Sequence, residues 1–246
     1  QRFDNVQTDH IGIVPDFRKP THMKPLFTII CLFFSLLLPG QQAIPPVLTD
    51  PDRAAITARA KRLELGTQSF IQLTDSLTAP YETEKEKAWA IFAWLGAHLS
   101  YDCGAENRLT DEPEEAVHPL YYTQQQLESI LKTRRTRCDG FSFMFKLMCN
   151  LEGIYCSRLD GFARFHGENV DPATVMPNHA WNVARLDGDW YEIDPTAGSG
   201  QCDGKRFHRQ LDALYFGMSD KLLEQRYIPI TDWRSAQDQG RIRLKF

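Results

Sequence analysis

Residues 133–153 read TRRTRCDGFSFMFKLMCNLEG. A basic run (Arg134, Arg135, Arg137) opens directly onto an apolar segment in which Phe141, Phe145 and Met148 recur at helical spacing. Gly153 closes the segment, as glycine does just past a helix end. The stretch therefore predicts a buried helix from Cys138 to about Asn150, with Cys138 in its first turn. A helix start presents the positive end of the backbone dipoles. That placement, with cations nearby, favours the thiolate form of a cysteine. Gly140 removes a side chain close to the thiol, which would let a substrate backbone approach. Taken alone, Cys138 reads first as a core or disulfide cysteine, since cysteines are often buried.

Downstream the period changes from helix to strand. Ile154–Leu159 reads as a strand, Asp160-Gly161 as a turn, and Phe162–Phe165 as a second strand. Another strand runs from about His179 to Leu186. Asp187-Gly188 is a hairpin signal, and Trp190–Asp194 is the returning strand. Residues 197–209 read as loop, and Arg241–Phe246 as a final strand. Upstream, Asp52 to about Leu77 is helical. Thr83 with Glu86 forms a capping box before a helix whose Ala88, Ile91, Phe92 and Leu95 make one apolar stripe. Leu99–Asp102 is extended, residues 103–119 form a polar surface loop, and a helix covers about Thr123 to Lys132. Helices first and antiparallel strands later predict an α+β domain.

The hairpin places two further groups. A two-residue turn at Asp187-Gly188 pairs Arg185 with Trp190, which sets Trp181 opposite Asp194. His179 then lies on the same face, two positions from Trp181, within diagonal reach of Asp194. Asp194 can accept from one ring nitrogen of His179, leaving the other for a thiol. That is the nucleophile, base and orienting acid of covalent catalysis. A slip of one residue would put the two side chains on opposite faces. A structural His–Asp pair at a sheet edge is the competing reading.

Several separate segments now resemble one family. Arg137-Cys138-Asp139-Gly140-Phe141, Gly153-Ile154, His179-Ala180-Trp181-Asn182, Asp189-Trp190-Tyr191 and Asp194-Pro195-Thr196 resemble, in this order, the core signature of the transglutaminase-like superfamily of papain-like thiol enzymes, in its bacterial secreted form. Tyr101-Asp102 resembles the segment that precedes the long loop in bacterial members. The resemblance covers about residues 85–200. It implies a papain-like core in which the central helix starts at the nucleophilic cysteine and packs on an antiparallel β-sheet. It also implies Cys138 as nucleophile, His179 as general base and Asp194 as orienting residue, with Trp181 as a sheet-packing and cleft-wall residue. Asp139 departs from the small or uncharged residue of many relatives. A carboxylate there opposes thiolate formation unless it points away. The implied chemistry is acyl transfer through a thioester, with the Cys138 backbone N–H as one oxyanion donor. Gln124, Gln125 and Gln126 are candidates for a side-chain donor.

The remaining features bound the function. Met23-Lys24, an apolar run from Leu26 to Leu38 and the small residue Ala43 read as a secretory signal peptide over residues 23–43, with residues 1–22 an upstream extension. An anchor or a buried helix is the alternative, but the run is short for a membrane span. Residues 44–246 then form a single transglutaminase-like domain, secreted or periplasmic, with no stable membrane span after signal removal. Five of six cysteines remain in it. Cys103 and Cys202, both in polar stretches, are the preferred pair for a disulfide, while Cys149 and Cys156 are bridged or simply buried. His166, His208 and Asp203 have no zinc-ligand spacing, so no metal and no cofactor is expected. The net charge of -4 offers no basic surface for a nucleic acid. The expected substrate is a protein, peptide or cell-wall peptide. The leading expectation is an exported cysteine hydrolase of peptide, isopeptide or related amide bonds. A protein-glutamine transamidase and a catalytically inactive binding scaffold are the alternatives.

Overall fold

The computed structural model describes residues 48–67, 69–104, 119–164 and 177–230. The expected leader and upstream extension, the strand at Arg241–Phe246, His166 and nearly all of the 103–119 loop lie outside the described residues. The described residues belong to one compact unit, Ile44–Phe246.

Three helices come first: α1 (Asp50–Arg62), α2 (Phe70–Thr78) and α3 (Glu84–His98). Each starts from a capping box, Thr49 with Asp52, Ser69 with Gln72 and Thr83 with Glu86. Such boxes satisfy amide donors that the first turn leaves open. The stretch expected as one helical region is thus two helices, the first ending at Arg62 and the second starting at Phe70. Helix α3 carries more than one apolar stripe: Ala88 to Gly96 are all buried. It is a central helix, sheathed by α1 and α2 and by the helix that begins at Cys138. Its two tryptophans turn their indole N–H groups onto polar atoms at the rim, Trp89 onto the Arg53 carbonyl (3.1 Å) and Trp94 onto the Leu63 carbonyl (2.8 Å). Each fully buried Phe, Leu or Ile here contributes roughly 1.5–3 kcal/mol.

After α3 come β1 (Ser100–Tyr101), α4 (Pro119–Thr133), β2 (Arg135–Thr136) and α5 (Cys138–Leu151). Strands β1 and β2 pair in parallel, with Tyr101 beside Thr136. The main sheet follows: β3 (Cys156–Ala163), β4 (His179–Leu186), β5 (Asp189–Ile193) and, after helix α6 (Asp220–Arg226), β8 (Tyr227–Pro229). Their order is β5-β4-β3-β8, antiparallel throughout. The register Arg185↔Trp190 and Asn182↔Ile193 is the one the Asp187-Gly188 turn predicts. Asp187 and Gly188 both take positive φ, 53° and 94°, as a two-residue hairpin turn requires. The Asp187 carboxylate then accepts from the Glu84 and Lys85 amides, docking the hairpin on the first turn of α3.

Two expectations fail here. Asp160-Gly161 is not a turn: β3 runs straight through it. Gly161 is needed for close approach, because a Cβ there would overlap the Ile228 carbonyl and the Trp181 ring. Residues 197–209 are not loop but a 3-10 turn at Ala197–Ser199 followed by the hairpin β6 (Gly200–Cys202) and β7 (Phe207–Arg209). Strands of three residues are too short to show a period in sequence. Helix α6, of seven residues, and β8, of three, are likewise too short to show one.

The sheet separates two apolar clusters. On one side Ala184, Leu186 and Ile193 join Phe141, Phe145, Met148 and the α1–α3 core. On the other, Leu159, Trp181, Val183, Leu223 and Tyr227 pack together.

Candidate active site

Cys138 is the first residue of α5 and is buried. Its preceding residue, Arg137, provides no side-chain cap. The first backbone bond of the helix runs from the Phe141 N–H to the Arg137 carbonyl (3.0 Å). The N–H groups of Cys138, Asp139 and Gly140 therefore have no acceptor inside the helix, and the N-terminal partial positive charge stays concentrated at the thiol. Gly140 serves packing rather than access: a Cβ there would overlap the Thr136 hydroxyl and crowd Ile130. The expectation that it clears a path for substrate is replaced by this contact.

His179 opens β4, paired with Gly161 on β3. The residue before it, Asn178, accepts from the Ala163 N–H (2.8 Å) and donates to the Ala163 carbonyl (3.1 Å). This side chain imitates one more ladder step and fixes the entry of the strand. His179 Nε2 lies 2.7 Å from Asp194 Oδ2. Nδ1 is left on the other side of the ring, and the His179 side chain also hydrogen-bonds the Cys138 thiol. The three side chains proposed from the sequence are thus brought into one chain of contacts. All are buried, with Cys138 at 1% and His179 at 3% exposure and Asp194 fully enclosed.

The electrostatics follow from that enclosure. Burial acts against a charged His179, but the Asp194 carboxylate and the Cys138 sulfur outweigh it and lift the imidazole to about 10. Burial likewise acts against an ionised Asp194. The His179 charge and hydrogen bond, the Ala197 amide and the Tyr227 phenol together outweigh it, and the carboxyl falls below its ordinary value. Both shifts favour an imidazolium beside a carboxylate, with the Cys138 sulfur as the other partner of the ring.

Trp181 is fully buried and packs in the apolar cluster on the sheet. It stacks on the His179 ring (6.0 Å between centroids, 14° between planes) and is held by Glu192, which accepts from its indole N–H at 2.9 Å. It backs the imidazole from behind. Gln124 and Gln125 are exposed on α4, and Gln126 is half-buried. The Gln124 amide donates to Glu128 one turn on (2.9 Å). None of the three has a hydrogen bond to Cys138 or His179 among the described residues. Cys103 and Cys202 are joined by a disulfide, while Cys138, Cys149 and Cys156 are free and buried. Burial, then the neighbouring Cys156 sulfur, pushes the Cys149 thiol well up. Among the described residues there is no cluster of three or more His, Cys, Asp or Glu that could hold a metal.

Two tyrosines belong to the site that sequence reasoning did not assign. Tyr101 is brought beside Cys138 by the β1–β2 pair. Burial and then the Cys138 sulfur push its phenol up to about 12, against the opposing charge and hydrogen bond of Arg137. Its only sequence signal was membership of the Tyr101-Asp102 segment. Tyr227 donates to Asp194 Oδ2 at 2.7 Å from β8, and nothing local in the sequence marks it.

The chain is 31% identical over 133 residues to the human Kyphoscoliosis peptidase and 29% identical to the mouse protein; each match takes in 54% of this chain and 18% of the relative. The chain thus spans less than a fifth of the length of these curated relatives. Among solved structures, a TGase aligns over 74% of this chain and 39% of its own at 20% identity (TM-score 0.37). The periplasmic domain of TgpA from Pseudomonas aeruginosa aligns over 60% of this chain and 48% of its own at 18% identity (TM-score 0.36). The profile of the transglutaminase-like superfamily matches residues 71–195, about half the chain, a span that holds Cys138, His179 and Asp194 and ends before Tyr227. An α+β core with helices packed on a curled antiparallel sheet and a family match over that core lead to one statement: the chain belongs to the transglutaminase-like superfamily.

Proposed function

We propose that this protein is a cysteine hydrolase of amide bonds in peptide or protein substrates, with Cys138 as nucleophile, His179 as general base and acid, and Asp194 as orienting residue. One observation carries the reading. His179 stands between Asp194 Oδ2, at 2.7 Å from Nε2, and the Cys138 thiol at the start of α5. The similarity to a peptidase in the matched region supports the same reaction class.

The mechanism follows from the charges. In the resting site the proton is held on His179, which the Asp194 carboxylate and the Cys138 sulfur keep charged, and the Cys138 sulfur attacks the amide carbonyl carbon as the thiolate. Negative charge collects on the carbonyl oxygen, where preorganised donors act most strongly. The Cys138 backbone N–H, open at the helix start, and the Tyr101 phenol beside the thiol are the proposed donors. The C–N bond breaks as the imidazolium gives its proton to the leaving amine, and a thioester remains on Cys138. Water, deprotonated by His179, attacks the thioester carbon, the C–S bond breaks, and a carboxylic acid leaves. Asp194 keeps the imidazolium stable and correctly turned throughout.

Export is part of the proposal. It is supported by the leader-like residues 23–43 and by the Cys103–Cys202 disulfide, a bond that persists in oxidising compartments. No helix among the described residues is long and apolar enough to cross a membrane.

The test is intact-mass labelling of the folded protein with an amide-mimicking electrophile, wild type against Cys138→Ala and His179→Gln. Fast labelling at Cys138 that slows in His179→Gln is expected. A folded wild type with reduced Cys138 that labels no faster than Cys149 would instead favour a binding scaffold. Amine incorporated in place of water would identify a transamidase.

A further inference from the structure

The Asp194 carboxylate is held by four donors, not by His179 alone. Oδ1 accepts from the Thr196 N–H (2.9 Å) and the Ala197 N–H (3.0 Å), both within the turn that follows β5. These local bonds fix the carboxylate plane. Oδ2 accepts from His179 Nε2 and from the Tyr227 hydroxyl, each at 2.7 Å. Tyr227 reaches it from far away in the fold. It opens β8, pairs with Ala163, and is separated from β5 by β3 and β4 in the sheet order. The sheet curls enough for the ring to cross its face, packed on Trp181 (5.1 Å) and on His179 (6.0 Å).

We infer that Tyr227 is a positioning residue of the proposed active site. It donates to the same Asp194 oxygen that His179 holds, and so limits how firmly the carboxylate retains the imidazolium proton. The inference rests on the acyl-transfer reading above for its consequence, though not for its geometry. A bare carboxylate would keep the proton on His179 and make it a reluctant acid toward a leaving amine. A carboxylate already carrying a second charge-assisted hydrogen bond competes less for that proton.

The charged and titratable surroundings leave the phenol in one state. Burial first, and the Asp194 charge second, hold Tyr227 protonated far above the ordinary tyrosine range. Tyr215 adds to that effect and Arg226 opposes it, the guanidinium donating to the Tyr215 hydroxyl at 2.8 Å. On the remaining sides stand Cys138, across the imidazole, and Glu192, tied to the Trp181 indole. Tyr227 is thus a donor over the whole pH range in which the site can work. Its segment lies beyond residues 71–195, so this device is built from chain outside the matched family core.

The experiment uses the full chain and Tyr227→Phe, which keeps the ring packing and removes the hydroxyl. Two readouts are taken against pH: the nuclear magnetic resonance titration of the His179 ring, and the rate of Cys138 alkylation by iodoacetamide. The His179 midpoint is expected to move to higher pH by about one unit, for loss of one charge-assisted hydrogen bond, while the Cys138 alkylation midpoint does not rise, because a more firmly charged imidazolium favours the thiolate. A folded Tyr227→Phe protein whose His179 midpoint matches wild type overturns the inference and reduces Tyr227 to a packing residue. If Tyr227→Phe does not fold, 3-fluorotyrosine at position 227, a stronger donor, decides: the His179 midpoint must fall, and no movement overturns the inference. Absence of fast Cys138 alkylation in wild type would overturn the acyl-transfer reading, while the His179 titration would still decide the role of Tyr227.

Discussion

Asn182 on β4 donates its side-chain N–H to the Ser142 carbonyl in α5 at 3.1 Å, and the Ser142 hydroxyl returns a bond to the Trp181 carbonyl at 3.0 Å. Both residues are completely buried. Ser142 lies one helical turn beyond Cys138, and Asn182 lies three residues beyond His179. This double link sets the helix carrying the thiol at a fixed height on the strand carrying the imidazole. Without it, apolar packing alone would allow the helix to slide.

Asn182→Leu is therefore expected to lower stability by about 1–3 kcal/mol, since a buried polar partner is lost. It should also slow Cys138 labelling more than the stability loss explains. Urea unfolding and labelling rates on the same sample check this. Unchanged labelling in a destabilised protein would show that the thiol and imidazole are placed by other contacts.

The buried ion pair predicts a pH window for stability. His179 is raised to about 10 in the fold, above the unfolded value of about 6.5. Its stabilising contribution is complete below about pH 6.5 and is lost as pH rises through 10. Asp194 is lowered, so its contribution is present above its unfolded value of about 3.9 and is lost as pH falls through the folded value. The Tm difference between wild type and His179→Gln should peak between about pH 4 and 6.5 and shrink steadily toward pH 10. A difference that grows with pH across that range would mean that His179 is neutral in the folded protein.

The Cys103–Cys202 disulfide closes a loop with a sequence separation of 99. It ties β6 to the residues just after β1. Arg209 on β7 reinforces the tie, donating to the Gly96 carbonyl (2.8 Å), the Leu99 carbonyl (2.9 Å) and the Ser100 hydroxyl (3.1 Å). Together they hold β1, and hence Tyr101, against the Cys138 end of α5. Replacing both cysteines by serine should cost about 2–4 kcal/mol in urea unfolding. An unchanged midpoint would mean that Arg209 suffices.

Gly140→Ala sets two effects against each other. Alanine gains up to about 1 kcal/mol in helix propensity. Its Cβ would overlap the Thr136 hydroxyl, and overpacking of that kind costs about 1–3 kcal/mol. Net destabilisation is expected in thermal or urea melts. Net stabilisation would show that β2 yields easily, and would return Gly140 to the substrate-access reading.

Much of the architecture is legible in the sequence. The α5 start at Cys138, the Thr83 cap of α3 and the Asp187-Gly188 register are decided by residues within a few positions of one another. Local rules read such features directly: a glycine past a helix, a hydroxyl before one, a two-residue turn between alternating strands. The hairpin register also carried His179 toward Asp194, because strand pairing converts sequence distance into spatial distance by simple counting.

Other features depended on segments meeting from afar. Gly161 resembles a turn glycine until Trp181 and the Ile228 carbonyl arrive beside it. Gly140 resembles an access glycine until Thr136 packs on it. Tyr101 acquires meaning only from the parallel pairing of β1 with β2, and Tyr227 only from a curl that carries β8 across the sheet face to Asp194. The sequence by itself determined which elements form and which residue types stand ready for thiol chemistry. Tertiary structure alone decided which side chains share a carboxylate, since burial and long-range pairing are sums over contacts that no local window contains.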